Sequence, residues 1–291
     1  MGSGRHHEAR HAMSPHDALE GWDEDATAEA YAAFTRDFPM YSATSRDLAD
    51  RAHLTGSRLV IDLCGGAGAT AKAILALVPA EARVISLDSA AAMQRVGRRT
   101  VTDPRLSWIT ARAEDLAEHV SGTADAVVCN SAIWKTDVPA VFAAVRSALR
   151  PGGRFVFNIG GGFAGIAHLD EQSVRTGPSL NTLIHKIAAR EYGHTPSLAS
   201  HNHLKLPPET VTEHLNAAGL AILGTEVTIQ HSTMAEKKAW LSIPVFARPH
   251  GDFTNDERMA ILEQAYALTT PETPTVTSWL IVVAERSEEK S

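Results

Sequence analysis

The sequence predicts an α/β fold built on a doubly wound, mostly parallel sheet. Three observations predict it. From residue 59 onward, short β-rich runs alternate with helical patterns. The first run is apolar on both faces, as a strand buried in a parallel sheet is. That run ends near an acid, and a glycine-rich turn then opens a helix. Repeated strand–helix alternation implies parallel strands joined by right-handed crossovers.

The elements follow in order. Residues 58–64 (RLVIDLC) read as the first strand and 69–78 as a helix of small residues. Residues 82–87 (ARVISL) are the second strand and 90–99 the next helix. Residues 106–111 form a third strand and 124–130 (ADAVVCN) a fourth. An amphipathic helix at 138–149 stops at Pro151-Gly152-Gly153, before a fifth strand at 154–159 (RFVFNI). Beyond it, 210–218 reads as a helix, 220–229 as a sixth strand and 275–284 (TVTSWLIVVA) as the seventh.

These elements divide the chain. Residues 1–12 (MGSGRHHEARHA) resemble a vector-derived leader, with Met13 a candidate native start. Residues 13–56 form an N-terminal helical cap, 57–160 the core, 161–206 a lid insertion, and 207–291 the rest of the core, with a helical insertion before the last strand. Insertions after strand carboxyl ends usually cover a ligand crevice.

Composition excludes several function classes. The chain has 291 residues, 44% hydrophobic and 21% charged, which suits an ordinary globular core. A net charge of −7 argues against a nucleic-acid groove, which needs clustered Lys and Arg. No apolar run approaches the roughly 18 residues a membrane span needs. No secretory signal opens the chain, and two cysteines make no disulfide framework, so a cytoplasmic location is expected. A monomer and a homodimer are equally compatible with these features.

The chemistry concentrates in residues 60–70, VIDLCGGAGAT. Gly66 and Gly68 let backbone approach a ligand where a β-carbon would clash. N–H groups at the helix start attract an anionic or polar group. The second strand leads to Asp88, where a carboxylate can accept hydrogen bonds from two ribose hydroxyls. A dinucleotide fingerprint would place a third glycine where Ala71 stands. Asp62, just before the turn, would repel a pyrophosphate but suits an ammonium.

Residues 60–68 (VIDLCGGAG) resemble the first motif of class I S-adenosylmethionine-dependent methyltransferases. VISLDSAAAM resembles their second motif, RAEDL the third, DAVVCNSAIW the fourth, and LRPGGRFVFNI their turn into the fifth strand. The resemblance spans residues 59–159, resumes at PPETVTEHLNAAGL, and is to the small-molecule, type 11-like branch. It implies a Rossmann-like seven-stranded sheet. It also implies S-adenosylmethionine as cofactor and S-adenosylhomocysteine as product. Asp62 and the Gly66–Gly68 turn are then expected near the methionyl part, Asp88 on the ribose and Met93 beside the adenine, with Cys64 and Ser89 also among the cofactor-binding residues. Ala113 and Glu114 are expected at the adenine's polar edge, and Asn130 and Ser131 near the methionyl part or the acceptor. There are two departures. Cys64 replaces the first motif glycine, and Arg112 stands where many relatives carry an acid.

No catalytic residue is evident; the candidates are His203, Tyr41 and Trp134. A lid histidine titrates near neutral pH and suits a general base. Tyr31 or Tyr41 could bond the methionyl carboxylate, and Trp134 could stack on a flat acceptor. His201 and His203 lack a third ligand at metal spacing, so no metal is expected. Cys64 and Cys129 end strands that this fold places side by side.

Four functions are compatible with these residues. The first is methyl transfer to an oxygen, nitrogen or carbon of a small metabolite, mainly by in-line positioning. The second keeps the cofactor but attacks another carbon of the sulfonium, by aminocarboxypropyl transfer or cyclisation that releases methylthioadenosine. The others are an NAD-dependent oxidoreductase, disfavoured by Asp62 and Ala71, and a non-catalytic cofactor-binding module. Neither nucleic acid nor a membrane is an expected partner.

Overall fold

The computed structural model describes residues 20–174, 177–195 and 205–287. The expected leader, His201 and His203 lie outside the described residues.

Seven strands form one sheet in the order β3-β2-β1-β4-β5-β7-β6. The strands are β1 Leu59–Leu63, β2 Arg83–Asp88, β3 Leu106–Thr110, β4 Ala124–Cys129, β5 Leu149–Gly160, β6 Leu220–Thr233 and β7 Pro274–Arg286. Five of them, β3-β2-β1-β4-β5, pair in parallel. β7 runs antiparallel between β5 and β6. This is the Rossmann-like α/β architecture, and the chain order reverses between β1 and β4. A crevice opens at such a switch point, beyond the strand carboxyl ends, because the crossovers leave in opposite directions.

Helices cover both faces of the parallel part. α3 (Ala69–Leu75) follows β1, α4 (Ala91–Thr100) follows β2, α5 (Leu116–His119) follows β3, and α6 (Val138–Ala148) precedes β5. The central strands are buried on both faces: Val60, Ile61, Leu63, Val127 and Val128 are fully inaccessible. One core packs Phe142, Phe155 and Phe157 under α6, and the other packs Leu48, Ile74 and Val156 between α3 and the N-terminal cap. α6 begins at Asp137, whose carboxylate caps the Ala140 N–H, with proline in its first turn.

The N-terminal cap is two helices, α1 (Asp25–Asp37) and α2 (Met40–Arg51). After β5 come α7 (Gly161–Ala164), α8 (Glu171–Val174) and α9 (Leu180–Tyr192). α10 (Pro208–Ala218) precedes β6, and α11 (Met234–Leu241) and α12 (Asn255–Ala267) fill the second insertion. The two insertions share a core of their own. Leu183, Ile184 and Ile187 of α9 bury against Leu241, Ile261 and Leu262 of α11 and α12. No described helix is long and apolar enough to cross a membrane.

Candidate active site

The carboxyl ends of β1, β2 and β4 open into a cavity of about 240 Å³. Its floor is the turn after β1. Cys64 and Gly66 there adopt left-handed backbone, at φ 55° and 52°. A β-carbon on Gly65 would run into the Ser86 hydroxyl and the Asp62 carboxylate. One on Gly66 would meet the Met93 methyl at 3.1 Å. Side chains at these two positions would collide with the protein itself, so the turn can pack against β2 and α4 only with bare backbone there.

Asp88 holds this loop. Its Oδ2 accepts the Gly66 N–H at 2.8 Å and its Oδ1 accepts the Ala90 N–H at 2.7 Å. Two bonds leave a carboxylate with lone pairs to spare for a diol. Burial raises the Asp88 pKa, and the Ala90 and Gly66 N–H groups oppose that rise.

Asp62 is placed differently from its expected position beside an ammonium. It does not line the cavity. Its Oδ2 accepts from the Ala71 N–H at 3.0 Å and the Ser86 hydroxyl at 3.2 Å. Oδ1 is buried with no partner among the described residues. Burial pushes its pKa up to about 8. The acid braces the turn from behind, because α3 starts close enough for Ala71 to donate to it. Gly68 also stands away from the cavity, at the start of α3, where a β-carbon would strike Trp108.

Cys64, Gly66, Asp88, Ser89, Met93, Ala113, Glu114, Asn130 and Ser131 do line the cavity. Asn130 donates through Nδ2 to the Tyr41 carbonyl, Thr44 and Ser45, which tethers it to α2. Its Oδ1 is buried without a partner among the described residues, an acceptor left for a ligand. Ser131 has left-handed backbone, φ 59°, held by its N–H to Asn158 Oδ1 at 2.6 Å. Glu114 spends Oε1 on the Asp137 N–H at 2.9 Å and on Arg112 at 3.3 Å. The Cys64 thiol is hydrogen-bonded to Cys129, and that bond together with burial raises its pKa. Cys64 is thereby held as a thiol, which removes the basis for a thiolate nucleophile at this position.

Of the catalytic candidates, Tyr41 and Trp134 do not face the cavity. The Tyr41 hydroxyl accepts from Trp240 Nε1 at 2.9 Å, and burial raises its pKa, so it is no base near neutral pH. Trp134 stacks on Phe163 at 4.6 Å within the core. Both are drawn away by apolar packing partners distant in sequence.

Sequence reasoning missed Trp22, Asp23, Thr70, Lys135 and Thr136 in the cavity wall, and gave Tyr31 no firm place there. The Lys135 ammonium lies 3.9 Å from the Trp22 ring centroid and 5.7 Å from that of Trp134. Burial pulls its pKa down to about 8 against the attraction of Cys64 and Asp88. Asp23 accepts from the Ala92 N–H at 2.7 Å, which anchors the segment before α1 to the start of α4. A tryptophan beside an acid just before a helix is weak as a signal, since nothing local says what it covers.

Comparison with known proteins fits this geometry. Residues 60–153 match a family described as methyltransferase domain. No curated protein matches the sequence. Among solved structures, a putative methyltransferase from Bacillus halodurans is 13% identical with a TM-score of 0.54, covering 84% of this chain and 100% of that one. Phosphoethanolamine N-methyltransferase 2 of Haemonchus contortus, solved with phosphomonomethylethanolamine and S-adenosylhomocysteine, is 15% identical with a TM-score of 0.54, covering 95% and 61%. The [4+2]-cyclase SpnF is 15% identical with a TM-score of 0.53, covering 85% and 82%. The family match falls on the segment that carries the glycine loop, Asp88 and the β4 end, so the likeness to methyltransferase domains lies where the cavity is built, and the likeness to the solved structures is one of fold.

Proposed function

We propose that this protein binds S-adenosylmethionine in the cavity at the β1–β4 switch point and transfers its methyl group to a small-molecule acceptor. The observation that carries the reading is the Asp88 carboxylate set against the bare Gly65–Gly66 backbone, opposite the orphan Asn130 Oδ1. These groups fit the cofactor: a carboxylate with free lone pairs for a ribose diol, Met93 as an apolar wall for the base, and an amide oxygen for the methionyl ammonium.

When bound, the cofactor supplies a methyl group that is already electrophilic, so the protein's task is alignment and exclusion of water. Gly65 and Gly66 admit close approach, and Asp88 fixes the loop they sit in. Ala113 and the free Oε2 of Glu114 stand at the polar edge of the base. Trp22, Tyr31 and Lys135 close the cavity from the cap side. Asn130 links the cavity to α2, so a ligand at its Oδ1 is coupled to the position of the cap. No general base is required, and Tyr41 and Trp134 are not proposed as one.

A [4+2]-cyclase shares this fold, so the fold also hosts chemistry other than methyl transfer, and non-methyl use of the cofactor stands as the second reading. Product mass separates the two. Incubation with S-adenosylmethionine and a metabolite extract is expected to yield S-adenosylhomocysteine and an acceptor heavier by one methylene. Methylthioadenosine as the product would refute methyl transfer.

A further inference from the structure

Two basic side chains line the cavity, Arg112 and Lys135. Arg112 pairs with Glu114 at 3.3 Å. Lys135 forms no ion pair or hydrogen bond among the described residues. It closes the short turn Ile133–Lys135 that follows β4, and it is half-buried. Rings hold it instead. Its ammonium lies 3.9 Å from the Trp22 ring centroid and 5.7 Å from that of Trp134. An aromatic face attracts a cation without supplying a counter-charge or accepting its proton.

The other ionisable groups of the cavity wall have partners of their own. Asp88, at the end of β2, accepts the Gly66 and Ala90 N–H groups. Asp23, ahead of α1, accepts the Ala92 N–H. Tyr31 of α1 stays neutral, because burial raises its pKa. Cys64, after β1, is held as a thiol. Burial pulls the Lys135 pKa down to about 8, against the attraction of Cys64, Asp88 and Cys129. At neutral pH the ammonium is therefore charged but close to losing its proton.

The cofactor fitted to this cavity carries a charge that its product lacks. S-adenosylmethionine is a sulfonium cation, and S-adenosylhomocysteine is the neutral thioether. Apart from the methyl group the two present the same atoms to the wall. In a cavity of about 240 Å³ little water can stand between a ligand charge and the ammonium, so like charges repel more strongly than in bulk solvent. A lysine facing a second cation responds by favouring its neutral form.

We propose that Lys135 is a charge-sensing residue of the cofactor site, releasing its proton to solvent when the sulfonium enters and keeping it when the neutral thioether is bound, so that the charged lysine favours product over cofactor. The proposal deepens the cofactor reading above and rests on it. Deprotonation caps the penalty. At pH 7, stripping a proton from a group of pKa about 8 costs a factor of about ten in affinity, and at pH 9 it costs almost nothing.

The test is isothermal titration of the full chain with each ligand at pH 7 and pH 9. Lys135→Met should raise the affinity for S-adenosylmethionine relative to S-adenosylhomocysteine by about tenfold at pH 7, and leave the ratio as in the wild type at pH 9. Lys135→Arg, which keeps its charge, should lower that ratio, and more at pH 9 than at pH 7. Damage from losing the Trp22 contact would weaken both ligands alike and cancels in the ratio. Titration at pH 7 in two buffers of different ionisation enthalpy counts protons. The wild type should release more of them with S-adenosylmethionine than with S-adenosylhomocysteine, and the excess should vanish in both variants. An unshifted ratio in Lys135→Met, or equal proton release with the two ligands, would overturn the proposal and leave the cofactor reading standing. Failure of the wild type to bind either ligand would overturn the cofactor reading, and this proposal with it.

Discussion

Replacing Asp62 by asparagine should change how the protein's stability depends on pH. Asp62 is fully buried, and one of its oxygens has no partner among the described residues. Burial moves its pKa from 3.8 to about 8. The folded pKa lies above the unfolded one, so between these values the folded protein keeps a proton that the unfolded chain has released. Its contribution to stability is full below about pH 4, falls as pH rises, and is gone above about pH 8. At roughly 1.4 kcal/mol per pH unit, that interval amounts to on the order of 5 kcal/mol, a large part of a domain's folding free energy. Asparagine has the same shape and does not ionise. Urea unfolding of the ligand-free wild type and Asp62→Asn at steps from pH 5 to pH 9 is the assay. The variant should gain on the wild type steadily up to about pH 8 and then hold a constant advantage of several kcal/mol. The difference profile removes the other titrating groups, which both proteins share. A flat difference profile would mean that Asp62 is ionised in the folded protein, and would return it to the role of an acid facing a cation.

Three further outcomes follow from the cavity. Asp88→Ala strands the Gly66 and Ala90 N–H groups and removes the carboxylate proposed for the ribose, so S-adenosylhomocysteine affinity should fall by about 1.5–3 kcal/mol in calorimetry; unchanged affinity would refute the assignment. Gly65→Ala drives a methyl into Ser86 and Asp62 and should cost about 1–3 kcal/mol of stability in urea, with an unaltered midpoint showing that the turn yields freely. Trp22→Ala removes the ring under Lys135 and the edge contacts to Tyr31 and Phe246. A cation–π contact is worth about 0.5–2 kcal/mol, so amide exchange in α1 should quicken and S-adenosylhomocysteine should bind more weakly; slow exchange with full affinity would mean that the cap closes without it.

The sequence alone determined the parallel core and its loop. Strands such as VIDL and VISLD are apolar on both faces, and the helices between them have their own period, so local pattern sufficed. Asp88 was legible for the same reason, since the end of β2 places it beside the end of β1 in any parallel pairing. The direction in which side chains turn was not legible. Asp62 was read as facing a ligand, yet it bonds Ala71 and Ser86, because α3 packs close behind the strand. Tyr41 and Trp134 were candidates by position, but Trp240 and Phe163, distant in the chain, claim them. Trp22, ahead of α1 in the cap, and Lys135, just after β4 in the core, meet although they lie far apart in the sequence. Local pattern reports the periodicity of burial, which each segment carries within itself. A site is a meeting of segments, and only the path of the folded chain decides which of them meet.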